Sequence, residues 1–452
     1  MKVSEFIVKK KYSEASGVTA LVCEDISVEL NGYGCYEEMV DRDLDDELDE
    51  VVRFVSPNLN GEVDESMLAE KLFGLEDDIH HDDRLGYYRS LYAGYVVEGD
   101  YRMQASSGGM GTWIFKELFE NDLIDGVIPV KENPDKSSPI MFQYDISRSV
   151  EEIRAGAKTK YYPVELSQVL KIVREVEGRY AIIGIPSFIM VIRLLCEKDE
   201  IIRSRIKFTV GLICGHQKSS KFTDFLTWQV GIKPGDVTSI DYRKKLLDRP
   251  ADKYGIEVSG TMSGVEVNVI CPISELFGQD WGEGYFKVEA SDFTDDVFNE
   301  TADITVGDAW LPKYNSDSKG TSIIIIRNKV IEKLVDHGIS SGRLVLDPLD
   351  KEDVFQSQAS HYRHTHDELA YRLYKKDKAG EWRPKKRVEA SNEISTMRKK
   401  VQDLREEIYT QSHIVFKKAV ELDDWNYFES EMDKLSEEYK QLYRVNARRK
   451  KV

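Results

Sequence analysis

Three stretches of this chain place hydroxyl side chains where an iron–sulfur site would place cysteines. The first is Tyr12-Ser13-Glu14-Ala15-Ser16-Gly17-Val18-Thr19-Ala20-Leu21-Val22-Cys23. With cysteine at Ser13, Ser16 and Thr19 it would read C-x-x-C-x-x-C-x-x-x-C, a cluster-ligand spacing. In Ala290-Ser291-Asp292-Phe293-Thr294, Ser291 and Thr294 occupy a C-x-x-C spacing, and Ser187 follows the apolar run ending Gly184-Ile185-Pro186. Hydroxyls approximate thiols in size but do not form the soft thiolates that hold iron and sulfide. The pattern therefore points to a redox framework without competent clusters. Taken singly, each Ser or Thr also suits a helix cap or turn, as at Ser13 and Ser291.

Other stretches could handle a phosphorylated or planar ligand. Ser106-Ser107-Gly108-Gly109-Met110-Gly111-Thr112 directly precedes a helical pattern. Glycines allow close backbone approach, and a helix start offers free N–H groups to phosphate. It is neither a Walker loop nor a dinucleotide fingerprint, and a tight strand–helix turn explains it equally well. Lys158-Thr159-Lys160-Tyr161-Tyr162-Pro163 offers cations for phosphate and rings for stacking, or a surface loop with buried tyrosines. Gly211-Leu212-Ile213-Cys214-Gly215-His216 and Thr305-Val306-Gly307-Asp308-Ala309-Trp310 end apolar runs, and ligands bind at the carboxyl ends of such strands. Cys214 reads as a ligand remnant or a small buried residue. His216 is a candidate cofactor contact, and Asp308 either orients a ligand or caps the next element. His361, His364 and His366 suit an exposed loop better than a metal site.

The elements that would position these groups alternate. Strand candidates are Phe6–Val8, Tyr95–Val97, Gly126–Val130, Tyr180–Ile185, Phe208–Ile213, Ala302–Val306 and Ser322–Ile326. Helical patterns occupy Thr112–Asn121, Leu166–Glu177 and Phe188–Glu197. Consecutive apolar residues fit strands buried on both faces, so the expected fold is α/β with a mixed sheet. Toward the end, Ile394, Met397, Val401, Leu404 and Ile408, then Trp425, Phe428, Met432, Leu435, Tyr439 and Leu442, recur at helical spacing. They predict a helical hairpin available for docking or oligomerisation. The expected divisions are 1–75, 76–164, 165–330, a connecting segment 331–384, and the hairpin 385–452.

The chain has 452 residues, room for two or three domains, and a net charge of −18, which argues against nucleic acid as a partner. Met1-Lys2-Val3-Ser4-Glu5 lacks an apolar signal core, and no apolar run approaches a spanning length, so a cytoplasmic protein is expected. Asp41 to Glu50 reads as a solvated acidic face. The five cysteines are scattered, consistent with reduced thiols.

In order, these stretches resemble the coenzyme F-420 hydrogenase/dehydrogenase beta-subunit family over roughly residues 5–330. The resemblance rests on the Ser106–Thr112 loop with Leu123–Ile128, on Lys158–Tyr161, on Ile183-Gly184-Ile185-Pro186, on Gly211–His216 and on Ala302–Trp310. It implies a ferredoxin-like N-terminal segment and a two-part flavoprotein body binding FAD, fed by iron–sulfur clusters. Some members act on coenzyme F-420, and bacterial relatives lie among polysaccharide-synthesis genes. FAD contacts would come from Ser106, Ser107, Gly108, Gly109, Gly111, Thr112, Lys158 and Lys160, with Gly184, Pro186, His216 and Asp308 toward the isoalloxazine and substrate. By the two-cluster ferredoxin pattern, Ser13, Ser16, Thr19 and Ser56 (before Pro57) would form one ligand set, and the spared Cys23 would belong to another. A body cluster would draw on Ser187, Ser291, Thr294 and Cys214. Seven hydroxyl replacements together suggest coordinated loss. The expected function is hydride or electron transfer through FAD, with a small-molecule substrate or a redox partner protein. The competing expectation is a non-redox scaffold that kept the fold.

Overall fold

The structure, a computed structural model, describes residues 2–8, 12–40 and 42–449. Its centre is a seven-stranded mixed sheet in the order Leu344–Pro348, Ser90–Val96, Ser322–Ile326, Ile304–Asp308, Ile206–Leu212, Tyr180–Gly184, Gly126–Ile128. The last four are mutually parallel, and the first three join by antiparallel pairing. Alternate side chains serve opposite faces. Ile324 and Ile326 pack with Trp113, Leu118 and Val335 from the helices Met110–Glu120 and Lys329–Ser340. Ile323 and Ile325 meet Phe298 and Val354 on the other side. At the parallel end, Tyr180 and Ile182 pack against Val169, Val173 and Ile192 of the helices Ser167–Glu175 and Pro186–Lys198. Strands covered on both faces explain the continuous apolar runs.

Several expected elements shift. Phe6-Ile7-Val8 belongs to a helix, Val3–Val8, not a strand; a three-residue apolar run carries no decisive period, and Val3 and Phe6, three apart, are both buried. Pro129, which lacks an N–H, separates Gly126–Ile128 from Val130–Glu132. Asp303 precedes its strand instead of joining it: its carboxylate accepts from the Thr209 N–H at 2.8 Å and from Arg193 at 3.0 Å. Asp41 lies outside the described residues. The rest of the acidic run starts the helix Asp46–Val55, capped by Asp45 accepting from the Leu48 N–H at 2.9 Å. Carboxylates there complement the helix dipole.

The larger correction concerns the C-terminus. The helices Thr396–Leu422 and Trp425–Arg449 form the expected hairpin. Its apolar face is not free for docking. Val401, Leu404, Ile408, Phe416, Phe428, Met432 and Tyr439 share one core with Phe225, Trp228, Tyr285 and Phe286 and with Tyr242, Ile256 and Val258. The last three come from an antiparallel sheet, Val237–Lys244, Gly255–Met262 and Val265–Pro272, that the sequence reading missed. The histidines are also placed differently. His361 and His364 lie on the helix Lys351–Thr365 and His366 caps it; His364 is buried against Glu368. No helix among the described residues is long and apolar enough to cross a membrane.

Candidate functional site

The carboxyl ends of Tyr180–Gly184, Ile206–Leu212 and Ile304–Asp308 open onto a cleft of about 290 Å³. That is near the lower end of ligand-site sizes, about 300–1,000 Å³. Stretches distant in sequence converge there. Ser106, Ser107, Gly109, Gly111 and Thr112 form one wall, Lys158 and Lys160 a second, and Gly184, Cys214, His216 and Asp308 the floor and far side.

The glycine-rich loop is held by the sheet. The Ser107 hydroxyl donates to the Thr321 carbonyl at 2.8 Å, and the Gly108 N–H donates to the Ser322 hydroxyl at 3.0 Å. Gly108 itself does not line the cleft: a Cβ there would lie 2.4 Å from the Gly94 carbonyl oxygen, so its glycine serves close packing. Gly109 adopts φ +91° and starts the eleven-residue helix Met110–Glu120 without a side-chain cap. Its first N–H groups therefore remain available at the cleft wall. The Ser106 hydroxyl accepts from the Thr159 N–H at 2.9 Å, tying the two walls together. Pro186 lies outside the cleft as the first residue of the helix Pro186–Lys198, where its missing N–H costs nothing.

Although the chain is acidic, the lining contains Lys158, Lys160, Lys218 and Arg243 against one carboxylate, Asp308. Lys158 pairs with Asp241 at 2.9 Å. Lys160 turns back onto the carbonyls of Gly156, Ala157 and Lys158, and burial draws its pKa down to about 8. Its amine thus braces this loop. Burial, reinforced by Lys287 and Arg405, puts the Lys218 amine well below its ordinary range; its Nζ donates to the Tyr285 carbonyl at 2.5 Å and faces the Trp281 ring at 4.4 Å. His216 stacks on Trp281 with centroids 5.1 Å apart, and its Nε2 is buried without a partner. Burial first, then Lys218 and Lys287, keeps this imidazole neutral. An orphaned nitrogen at a cleft is a hydrogen-bonding group ready for a ligand.

Arg243 was not foreseen. Its Nη1 and Nη2 grip the two Asp308 oxygens at 3.0 and 3.1 Å, and Nη1 also donates to the Tyr161 hydroxyl at 3.3 Å. Lys245, also missed, donates to the carbonyls of Arg102, Ser107 and Lys319 and so clamps the glycine loop; burial pulls its pKa down to about 7. Arg243 lies near the end of the strand Val237–Lys244 and Lys245 directly follows it, and no spacing in the sequence marks either.

The hydroxyl positions converge elsewhere. Ser13, Ser16, Thr19, Ser56, Ser187 and Thr294 line a second cavity of about 40 Å³, together with Glu14 and Glu38. Glu14 accepts from the Ser187 hydroxyl and, at 2.6 Å, from Ser291. Ser291 in turn accepts from the Gln217 N–H at 3.0 Å. Cys23 does not line this cavity; it packs in the core that adjoins it, with Val3, Phe6 and Tyr12. Cys214 lines the large cleft, not the small cavity, and burial raises its thiol to about 11. All five cysteines are free.

Residues 91–171 match the N-terminal domain, and residues 177–352 the C-terminal domain, of the coenzyme F-420 hydrogenase/dehydrogenase beta subunit. Among solved structures, the chain is similar to one in a xenon-derivatised F-420-reducing nickel–iron hydrogenase complex from Methanosarcina barkeri. The identity is 16% and the TM-score 0.49, covering 66% of this chain and 96% of that one. No curated protein matches the chain. With both halves of the subunit matched in order around the glycine loop and the strand ends of the cleft, the chain belongs to the coenzyme F-420 hydrogenase/dehydrogenase beta-subunit family.

Proposed function

We propose that the protein is an oxidoreductase that binds FAD in the large cleft and works without iron–sulfur clusters. The observation that carries this reading is a cleft at parallel strand ends whose walls join the uncapped start of the helix Met110–Glu120 to the Lys158 and Arg243 cations, in a strongly acidic chain. A dianionic pyrophosphate suits that charge. Bound there, FAD would supply hydride or electron transfer.

The chain's own residues divide the remaining work. The N–H groups following Gly109 and the Lys158 ammonium would hold phosphate. Tyr161 and Tyr162 wall the cleft beside them. Asp308 fixes Arg243 in position at the cleft and balances its charge. The neutral His216 ring, with its open Nε2, can accept or donate one hydrogen bond to a ligand. Neither a substrate hydroxyl nor a partner protein is specified by these contacts.

The small cavity does not suit a cluster. Its polar side chains carry hydroxyl and carboxyl oxygens, the Asn58 amide and the Lys386 amine, with no thiol among them. Oxygen donors hold iron–sulfur clusters poorly, so no electron step is routed through that cavity.

The test is a purified full-length sample titrated with FAD. A yellow flavin spectrum without iron is expected. In Gly111→Leu, a side chain would grow from beside Val306 and Ile183 into the cleft and reduce FAD affinity at least tenfold. A colourless protein that fails to bind added FAD would overturn the reading and favour a scaffold role. Bound iron with acid-labile sulfide would overturn the loss of clusters.

A further inference from the structure

The small cavity carries more buried acid than its surroundings neutralise. Glu38 is 4% exposed; its Oε1 accepts from the Thr19 hydroxyl, and its Oε2 is buried with no partner. Glu14, partly buried, has hydroxyl donors for both oxygens. Neither makes an ion pair among the described contacts. Glu65 and Lys386 also line the cavity, but Lys386 faces Asp295 at 3.8 Å, and Arg387 lies 3.8 Å from Glu65.

A buried carboxyl and a partly buried one sharing a cavity can be neutralised by protons or by a cation. The walls favour a cation of one kind. The Ser13 hydroxyl accepts from the Ala15 N–H at 3.0 Å, and the Ser56 hydroxyl donates to the Val52 carbonyl at 2.7 Å, so both keep oxygen lone pairs free. Oxygen ligands select hard cations. No group of three or more His, Cys, Asp or Glu among the described residues is placed to hold a metal, so this set rests on two carboxyls supplemented by hydroxyls. A space of about 40 Å³ accommodates one ion or a few waters.

We propose that this cavity is a binding site for one hard alkali or alkaline-earth cation, with Glu38 and Glu14 as its carboxylate ligands and Ser13, Thr19 and Ser56 as hydroxyl ligands. Hydroxyl oxygens along the 13–19 segment then suit a different kind of metal from the one that thiolates would hold. The proposal does not depend on what occupies the large cleft.

The test uses the full-length protein, freed of metal by chelation and kept in choline chloride. Sodium, potassium, magnesium and calcium chlorides are added separately at matched ionic strength while Tm is followed. At least one should raise Tm by about 3 °C at a hundredfold excess over its Kd. Binding should tighten with rising pH, up to about tenfold per pH unit for each proton displaced. Glu38→Gln should fold and lose the shift. No shift in any of the four salts, or a shift that persists in Glu38→Gln, overturns the site. If Glu38→Gln does not fold, Ser13→Ala keeps both carboxyls and should weaken binding at least threefold; unchanged affinity overturns the site. FAD absorbance recorded on the same samples separates this outcome from the fate of the flavin reading.

Discussion

Replacing Asp308 by asparagine isolates the electrostatics of the cleft floor. Arg243 keeps only 6% of its side chain exposed, against 23% for Asp308. Burial works against the guanidinium charge, but Asp308 more than compensates and holds the arginine pKa well above its ordinary value. Asparagine preserves the shape and removes the charge. What remains around the guanidinium is the Tyr161 hydroxyl at 3.3 Å, the Tyr254 ring at 4.2 Å and the Trp310 ring at 5.6 Å, while Nε has no partner. Stranding one member of a fully buried pair costs about 3–5 kcal/mol. The partial exposure of Asp308 admits water and lowers this to about 2–3 kcal/mol. Urea unfolding followed by tryptophan fluorescence measures the loss as a lower midpoint at constant slope. The double variant Asp308→Asn with Arg243→Met removes both charges and should recover to within about 1 kcal/mol of the parent. A loss below about 0.5 kcal/mol for Asp308→Asn, or a double variant no more stable than the single, would refute the reasoning.

Three further outcomes are expected. Gly109→Ala forces a Cβ at φ +91° to within 2.9 Å of the Tyr101 carbonyl; a cost of about 1–3 kcal/mol is expected in urea unfolding, and parent-like stability would contradict it. Phe428→Ala should cost about 3–5 kcal/mol, because its ring contacts Phe225, Phe286 and Phe416; deletion of residues 396–449 should leave an aggregating chain, whereas a soluble, folded remainder would show a separable hairpin. The third outcome is a pH dependence. Glu14 and Glu38 have folded pKa values raised by burial above an ordinary value of 4.5, so their contribution to stability is complete below that pH and is lost as pH rises toward the folded values. Without added hard cations, Glu38→Gln should therefore gain on the parent by up to about 1.4 kcal/mol per pH unit, measured by urea unfolding from about pH 5 upward; a constant difference would count against a raised Glu38.

What the sequence determined by itself was local. Strands such as Ser322–Ile326 and Tyr180–Gly184 were legible because a strand covered on both faces must be apolar at successive positions. Ser106–Thr112, Lys158–Tyr161, Gly211–His216 and Gly307–Asp308 were legible as separate ligand-type turns, since glycine and polar residues at strand ends have few other reasons to cluster. The hydroxyls at 13, 16 and 19 were legible from their spacing alone. The helical period of the last two helices was equally plain, but period reveals an apolar face and not what covers it.

Only the tertiary structure decided which of these pieces meet. The parallel order of the strands at 126, 180, 206 and 304 brings four distant turns to one edge. An extra antiparallel sheet delivers Arg243 and Lys245 to that edge and takes up the face of the hairpin. Glu38 shows the limit most clearly. It is one acid on a strand whose neighbour Glu37 is partly exposed, and only the pairing of Tyr36–Val40 with Ile26–Leu30 and the packing around it turn Glu38 inward. Side-chain type and local spacing are properties of the chain, whereas burial and partnership depend on contacts between residues far apart in it. Charge balance, which decides what each cavity can hold, is set by those distant contacts.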